Sequence, residues 1–312
     1  MSDSLEAFSN TLRSESGFVE LSSRCYVRLS GEDRKKFLHN FCTNEIKGLA
    51  DGRVCEAFVL NEKGKILAYV HVIAAPDELM LTGHGDQAKT LISHLDKYLI
   101  REDVTLTDAT QEIGSLFVRG EKTIELLSVL DGELPGRNEV ATISIDGVDC
   151  QVSHLELAGF GFLVSCAKSD LAHLNTTLSA AGVAECSEES LEIIRVEEKT
   201  PWFGADVDDS NLPQELQRDE IAISFDKGCY LGQETVARID ARGRVNWLLV
   251  GLKFTGESAS EPGDELSSEG KPAGRVTSVV YSYQQKSNIG IGYVRRGFQE
   301  AGTELGDSVF VI

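Results

Sequence analysis

No stretch of the 312-residue chain approaches eighteen uninterrupted apolar residues, which argues against a helix threading a membrane. The opening MSDSLEAFSN lacks the basic-then-apolar order of a secretory signal, so a soluble, cytoplasmic protein is expected. Cysteines spaced C-x-x-C are also missing. The seven that occur (25, 42, 55, 150, 166, 186 and 229) are scattered and odd in number, unlike a disulfide framework or a zinc knuckle. Reduced thiols are the expectation. The 6 histidines are equally dispersed, without H-x-x-x-H or H-E-x-x-H, so no metal site is assigned. Positive charge is scarce: 30 Lys and Arg against 50 Asp and Glu give a formal charge of −20. That field repels phosphates and disfavours direct nucleic-acid binding. Proline is down to 6 residues, while 29 glycines point to many turns.

What is present exceeds one ordinary core, so two or three domains are expected. Residues 19–30 read as a strand and turn. SGEDRKKFLHNFCTNEIKGL reads as a helix, with Ser30 able to cap it and Phe37, Leu38 and Phe41 on one face. Two β-rich runs flank Asn61-Glu62-Lys63-Gly64, a hairpin signal. DELMLTG follows as a strand, and GDQAKTLISHLDKYLI as an amphipathic helix with Leu91, Leu95 and Leu99 stacked. This order is that of an α+β unit with helices packed on an antiparallel sheet. A second α+β pattern runs from Glu121 to Gly182, beginning with the helix KTIELLSVL. SEESLEIIRVEEKTP then reads as a helix capped by Ser187 or Ser190 and ended before Pro201. After Arg244 only short β runs remain, as in a small barrel or sandwich. The expected domains are therefore 1–115, 116–244 and 245–312.

One stretch stands out, FDKGCYLGQETVARIDARGR. From Lys227 to Arg244 it carries Lys227, Arg238, Arg242 and Arg244 against Glu234 and Asp240, a basic patch on an acidic chain. Gly228 and Gly232 flank Cys229 and permit either sharp turns or close approach of a ligand. Lys227 beside it would favour the reactive thiolate. An inert, buried cysteine in a glycine-lined turn explains the residues as well, and the stretch alone does not separate the two. A helix is expected to start near Gln233.

The string Lys227-Gly228-Cys229-Tyr230-x-Gly232-Gln233-Glu234 resembles the signature of the YgfZ family of folate-binding proteins. These are relatives of the aminomethyltransferase (T-protein) of the glycine cleavage system. The likeness extends to SGEDRKKFLHNFCTNEIKGL, the NEKGK hairpin, IIRVEE and the β-rich tail, in family order. It implies three domains in a ring, two α+β units and a C-terminal β-barrel, holding tetrahydrofolate at the centre. It also implies a role in maturing or repairing iron–sulfur enzymes, including a tRNA-modifying one, with Cys229 as the functional thiol and iron–sulfur proteins or their assembly factors as partners. Arg195-Val196-Glu197 matches the family's R-x-E, which would place Glu197, with Arg195, at the pterin. Glu198 stands where relatives have a small residue. Trp202-Phe203-Gly204-x-Asp206 also resembles the family, and Trp202 could stack on the pterin, with Arg238 and its neighbours meeting the glutamate tail. Aligned on NEKGKIL, the acidic pair of the aminomethyltransferases is replaced by Ala68 and Tyr69. That replacement predicts loss of glycine-cleavage chemistry. A folate-dependent one-carbon transferase or demethylase is the alternative.

Overall fold

The computed structural model describes residues 2–127, 133–255, 260–306 and 308–312. Its first sheet has five antiparallel strands, in the spatial order Val54–Leu60, Ile66–Ala74, Glu78–His84, Arg24–Ser30 and Thr105–Asp108. The expected hairpin connects the first two. Asn61 Oδ1 accepts from the amides of Lys63 (2.9 Å) and Lys65 (3.0 Å), and Gly64 takes φ +76° to close the turn. Helices Arg34–His39 and Ala88–Asp96 cover one face, burying Phe37, Leu38, Leu91 and Leu95. Both are shorter than their sequence pattern. Asp33 rather than Ser30 occupies the N-cap position of the first, and Phe41 and Leu99 lie beyond the helix ends, still packed on the core.

The second sheet runs Ala184–Glu185, Gly17–Glu20, Ile113–Arg119, Phe160–Ala167, Val148–Glu156 and Val140–Ile145. Its make-up draws on both ends of the α+β region, because Gly17–Glu20 pairs antiparallel with Ile113–Arg119 and parallel with Ala184–Glu185. Chain order places these first residues in the 1–115 unit; their hydrogen bonds place them in the second. Ahead of them lies a helix absent from the sequence reading, Ser2–Ser14, whose Leu12 is fully buried. Leu5, Phe8 and Leu12 at helical spacing were the available signal. Of KTIELLSVL, the helix Thr123–Leu127 is observed, and 128–130 lie outside the described residues.

After Arg244 come six short strands in the order Glu265–Ser268, Lys271–Ser282, Ser287–Arg295, Trp247–Phe254, Val309–Val311 and Glu304–Leu305, a near-closed barrel. The helix Glu188–Glu197 joins everything. Ser187 caps it, its side chain accepting from the amide of Ser190. Leu191 and Ile194 enter the core between the two sheets, with Tyr26, Phe117 and Leu163. Val196 faces the barrel's Leu249, Ile289 and Tyr293. Burial of such side chains stabilises by roughly 1.5–3 kcal/mol each, so this helix ties the barrel to both sheets.

Candidate functional site

The segment around Cys229 is a strap drawn over the first domain. Lys227 is buried and points inward, its Nζ donating to the carbonyls of His39 (2.7 Å), Cys42 (2.8 Å) and Asn44 (2.6 Å). Burial lowers its pKa. All three ammonium protons are thus spent on the turn behind Arg34–His39, so activation of Cys229 by a neighbouring lysine, expected from the sequence, gives way to a structural clamp. Thr43 and Asn44 fasten the same turn to the chain before the strap, Thr43 Oγ1 donating to Ala222 O (2.6 Å) and Asn44 Nδ2 to Ile221 O (2.8 Å). Tyr230 is buried, with Lys227 Nζ 4.9 Å from its ring centroid.

The two glycines of the motif do different things. Gly232 has φ +82°, and a Cβ there would lie 2.6 Å from Asn61 O and 3.0 Å from Gly64 Cα. The motif therefore seats directly on the NEKGK turn, where Thr235 Oγ1 donates to Lys63 O (3.0 Å). Gly228 has ordinary φ and open space, its nearest neighbour His39 Nε2 at 4.0 Å from the position of a Cβ. His39 Nδ1 lies 3.1 Å from Glu45 Oε1. Helix Gln233–Arg242 starts where expected, with Gly232 at its N-cap, and Glu234 on its exposed side. Cys229 itself is exposed. The other cysteines are buried or half-buried, and burial pushes their thiols up, to about 11 for Cys42 and Cys166 and about 12 for Cys150 and Cys186.

The residues expected at a pterin divide. Arg195 is fully buried and every guanidinium N–H is used: on Glu192, on Asp206, on Thr200 O (2.9 Å) and on Ser278 Oγ (2.8 Å). Asp206 also accepts from Ser278 (2.7 Å), Thr277 (2.6 Å) and the Trp202 amide (3.1 Å). Glu197 is held by Arg13, Nε at 3.0 Å and Nη2 at 2.6 Å, and by Ser282 Oγ at 2.6 Å. Arg195 and Glu197, expected at the pterin, thus have their polar atoms engaged in docking the N-terminal helix, the barrel and the 200–206 loop. Trp202 does border open space. It stacks on His84 (4.2 Å), donates from Nε1 to Leu157 O (2.9 Å), and lines a cavity of about 480 Å³ where all three domains meet. Leu5, Arg24, Ile193 and Tyr281 share that lining. Arg238 faces a different cleft, with Arg242 and Arg244.

From this cavity a narrower cleft, still lined by Arg24, His84 and Trp202, leads to Tyr69 and His71. Here lies a buried network that sequence reasoning missed. Arg218 grips Glu56 with Nε (2.9 Å) and Nη2 (2.7 Å), reaches Glu156 (3.3 Å), and Tyr69 O–H donates to Glu56. Burial would raise the Glu56 carboxyl, but Arg218 holds it below its usual range. Burial and Glu56 together raise the Tyr69 phenol. The legible signal was a polar residue inside an apolar strand, Glu56 in VCEAFVL and His71 in AYVHVIA. Two buried atoms beside the cleft lack a hydrogen-bond partner, Arg24 Nη2 and His71 Nε2, the latter 3.9 Å from Glu56 Oε1. An unpaired guanidinium N–H and a free imidazole nitrogen next to a flat aromatic wall suit a planar heterocycle that carries both acceptors and N–H groups, and so fit a pterin.

His71 also predicts a pH response. Burial lowers its pKa to about 4. The unfolded imidazole takes up a proton near 6.5 and the folded one does not, so stability is complete above pH 6.5 and falls as pH drops towards 4. Between pH 7 and pH 5 this residue alone should cost about 2 kcal/mol. Urea titrations of wild type and His71→Gln at the two pH values should show a shallower loss in the variant. Equal losses would mean His71 is not buried neutral.

Two α+β domains and a near-closed barrel, joined through one helix, define a T-protein-like fold. The comparisons agree. Residues 1–227 match the GCVT N-terminal domain, and residues 248–308 match the glycine cleavage T-protein C-terminal barrel domain. The chain belongs to this glycine cleavage T-protein family. It is similar to a putative chloroplastic transferase of Arabidopsis thaliana, 27% identical over 97% of this chain and 70% of that one. A probable aminomethyltransferase of Natronomonas pharaonis is 25% identical over 97% of this chain and 86% of its own length. The crystal structure of the glycine cleavage system aminomethyltransferase T from Bartonella henselae superposes with a TM-score of 0.88, covering 98% of this chain and 88% of that one at 17% identity. No described helix is long and apolar enough to cross a membrane, and among the described residues no three His, Cys, Asp or Glu side chains group as metal ligands.

Proposed function

We propose that this chain is a cytoplasmic tetrahydrofolate-binding protein of the YgfZ type. In this reading it supports maturation or repair of iron–sulfur enzymes, tRNA-modifying ones included, through the thiol of Cys229. The observation that carries the reading is the contrast among the cysteines: Cys229 is exposed on a strap locked by Lys227, Gly232 and Thr235, and the others are buried or half-buried. Folate would be held by the Trp202 wall, Arg24 Nη2 and Tyr281; its own chemistry, when bound, is to carry one-carbon units. The resemblance places an acidic pair in the transferases where this chain has Ala68 and Tyr69, and Tyr69 is itself bound to a Glu56 already neutralised by Arg218. A phenol held in this way offers no free carboxylate to a substrate amine.

Two measurements test the reading separately. Calorimetry with tetrahydrofolate should give saturable binding that Trp202→Ala and Arg24→Met each weaken about tenfold, the cost of one good contact; no binding by the wild type would end the folate claim. Native-state thiol labelling should modify one cysteine quickly, and Cys229→Ala should abolish that label and depress cluster-dependent enzymes in the cell. Full activity of those enzymes with Cys229→Ala would remove the thiol from the function. The relatives' transferase names favour a second reading, folate-dependent one-carbon transfer. Formaldehyde-equivalent transfer from a small amine to tetrahydrofolate would establish it.

A further inference from the structure

Among the described residues, six of the 16 arginines hold a carboxylate: Arg13, Arg28, Arg53, Arg119, Arg195 and Arg218. Arg275 and Arg295, on the outside of the barrel, are among those that do not. Among the described residues neither enters an ion pair. Strand alternation explains where they sit. Arg275 lies opposite Tyr293, Tyr293 opposite Leu249, and Arg295 opposite Trp247, so all share one face of the sheet. Each guanidinium rests over an aromatic ring, Arg275 over Tyr293 and Arg295 over Trp247, both at 5.3 Å. The 208–215 loop and Lys65 close over this face and leave a cavity of about 630 Å³. Its lining includes Tyr293, a residue 2% exposed whose buried hydroxyl has no hydrogen-bond partner. A buried hydroxyl left without a partner is destabilising unless something meets it.

We propose that this cavity binds a nucleoside monophosphate, at a site separate from the Trp202 cavity and independent of the folate reading. The two guanidiniums receive the phosphate, for which a planar fork of N–H donors is well matched, and Lys65, which already donates to Ser210 O (2.5 Å), adds its remaining N–H donors. The volume exceeds what phosphate alone would fill, and the exposed face of the Arg295–Trp247 stack offers a platform for a base. Two carboxylates share the lining. Glu215 is engaged by the Leu212 amide (3.1 Å) and Asn211 (3.2 Å), whereas Glu265 lies opposite Arg275 on the end strand. A carboxylate beside a basic cluster disfavours a bare anion and suits a ligand that carries N–H donors as well as a phosphate. The Tyr293 hydroxyl then donates to a ligand oxygen.

Calorimetry on the full chain with GMP and AMP, and with guanosine and inorganic phosphate as controls, tests this. At least one nucleotide should bind saturably at low salt, with guanosine and phosphate each about tenfold weaker or worse. Arg275→Gln and Arg295→Gln, both at exposed positions, should each lose about tenfold, and Tyr293→Phe should lose a smaller factor while melting no lower than the wild type. Failure of both nucleotides to bind at millimolar concentration overturns the proposal. So does phosphate binding as tightly as GMP, or nucleotide binding that both arginine variants retain in full. Tetrahydrofolate binding should be unchanged in all three variants, which keeps this test apart from that of the folate site.

Discussion

Arg195→Ala should destabilise the protein by about 3–5 kcal/mol, the cost of breaking a buried ion pair on one side. The side chain is fully buried, and its removal strands Asp206, which is itself 2% exposed and has no other cation in contact. Ser278 and Thr277 on the barrel would lose the shared acceptor geometry that binds them to the 200–206 loop. The damage should be specific in kind: Arg195→Ala should loosen the barrel from the two α+β domains. Urea denaturation followed by Trp247 fluorescence would report it, because that tryptophan stands at the first strand of the barrel. A loss under 1 kcal/mol, with folate affinity reduced instead, would restore Arg195 to the ligand site.

Gly232→Ala should cost about 2–4 kcal/mol, combining the strain of a left-handed residue with a backbone collision. Its Cβ has no escape, since both obstacles, Asn61 O and Gly64 Cα, belong to the backbone of the hairpin turn. Gly228→Ala is the control. With ordinary φ and its nearest neighbour at 4.0 Å, it should change stability by no more than about 0.5 kcal/mol. If both substitutions were equally tolerated, the motif could not be seated on the hairpin as described. If Gly228→Ala left stability intact but removed the in vivo effect attributed to Cys229, the open space beside His39 would belong to the function.

The elements legible in the sequence were those specified by neighbours in the chain. The Asn61–Gly64 turn is fixed by the side chain of Asn61 and the freedom of Gly64, four residues that need no partner elsewhere. The Ser187 cap and the start of helix Gln233–Arg242 are equally local. Side-chain commitments were not. Lys227 meets carbonyls 183 to 188 positions away, and Glu197 meets an arginine 184 positions away. No window reveals that these charges are spent, and both therefore read as free. The resemblance carried the right fold, but a motif names positions and leaves open which way their side chains turn. Trp202 kept its place at a cavity because an indole packed on His84 leaves its other surface to the opening. The network of Glu56, Tyr69 and Arg218 joins three segments and was invisible for the same long-range reason.

The pairing of Gly17–Glu20 with Ala184–Glu185 has a consequence for synthesis on the ribosome. The N-terminal helix and the strand after it emerge early; the strand meets Ile113–Arg119 about 100 residues later, but Ala184–Glu185 and the helix Glu188–Glu197 arrive only after about 170. At translation rates of roughly 5–20 residues per second Leu12 waits roughly 10–30 s for Leu191 and Ile194 to cover it. The five-stranded sheet, by contrast, draws all its strands from residues 24–108 and can close early. The amino terminus is thus a late-closing seam, and a nascent chain stalled before residue 184 should be sticky at its beginning rather than at its end.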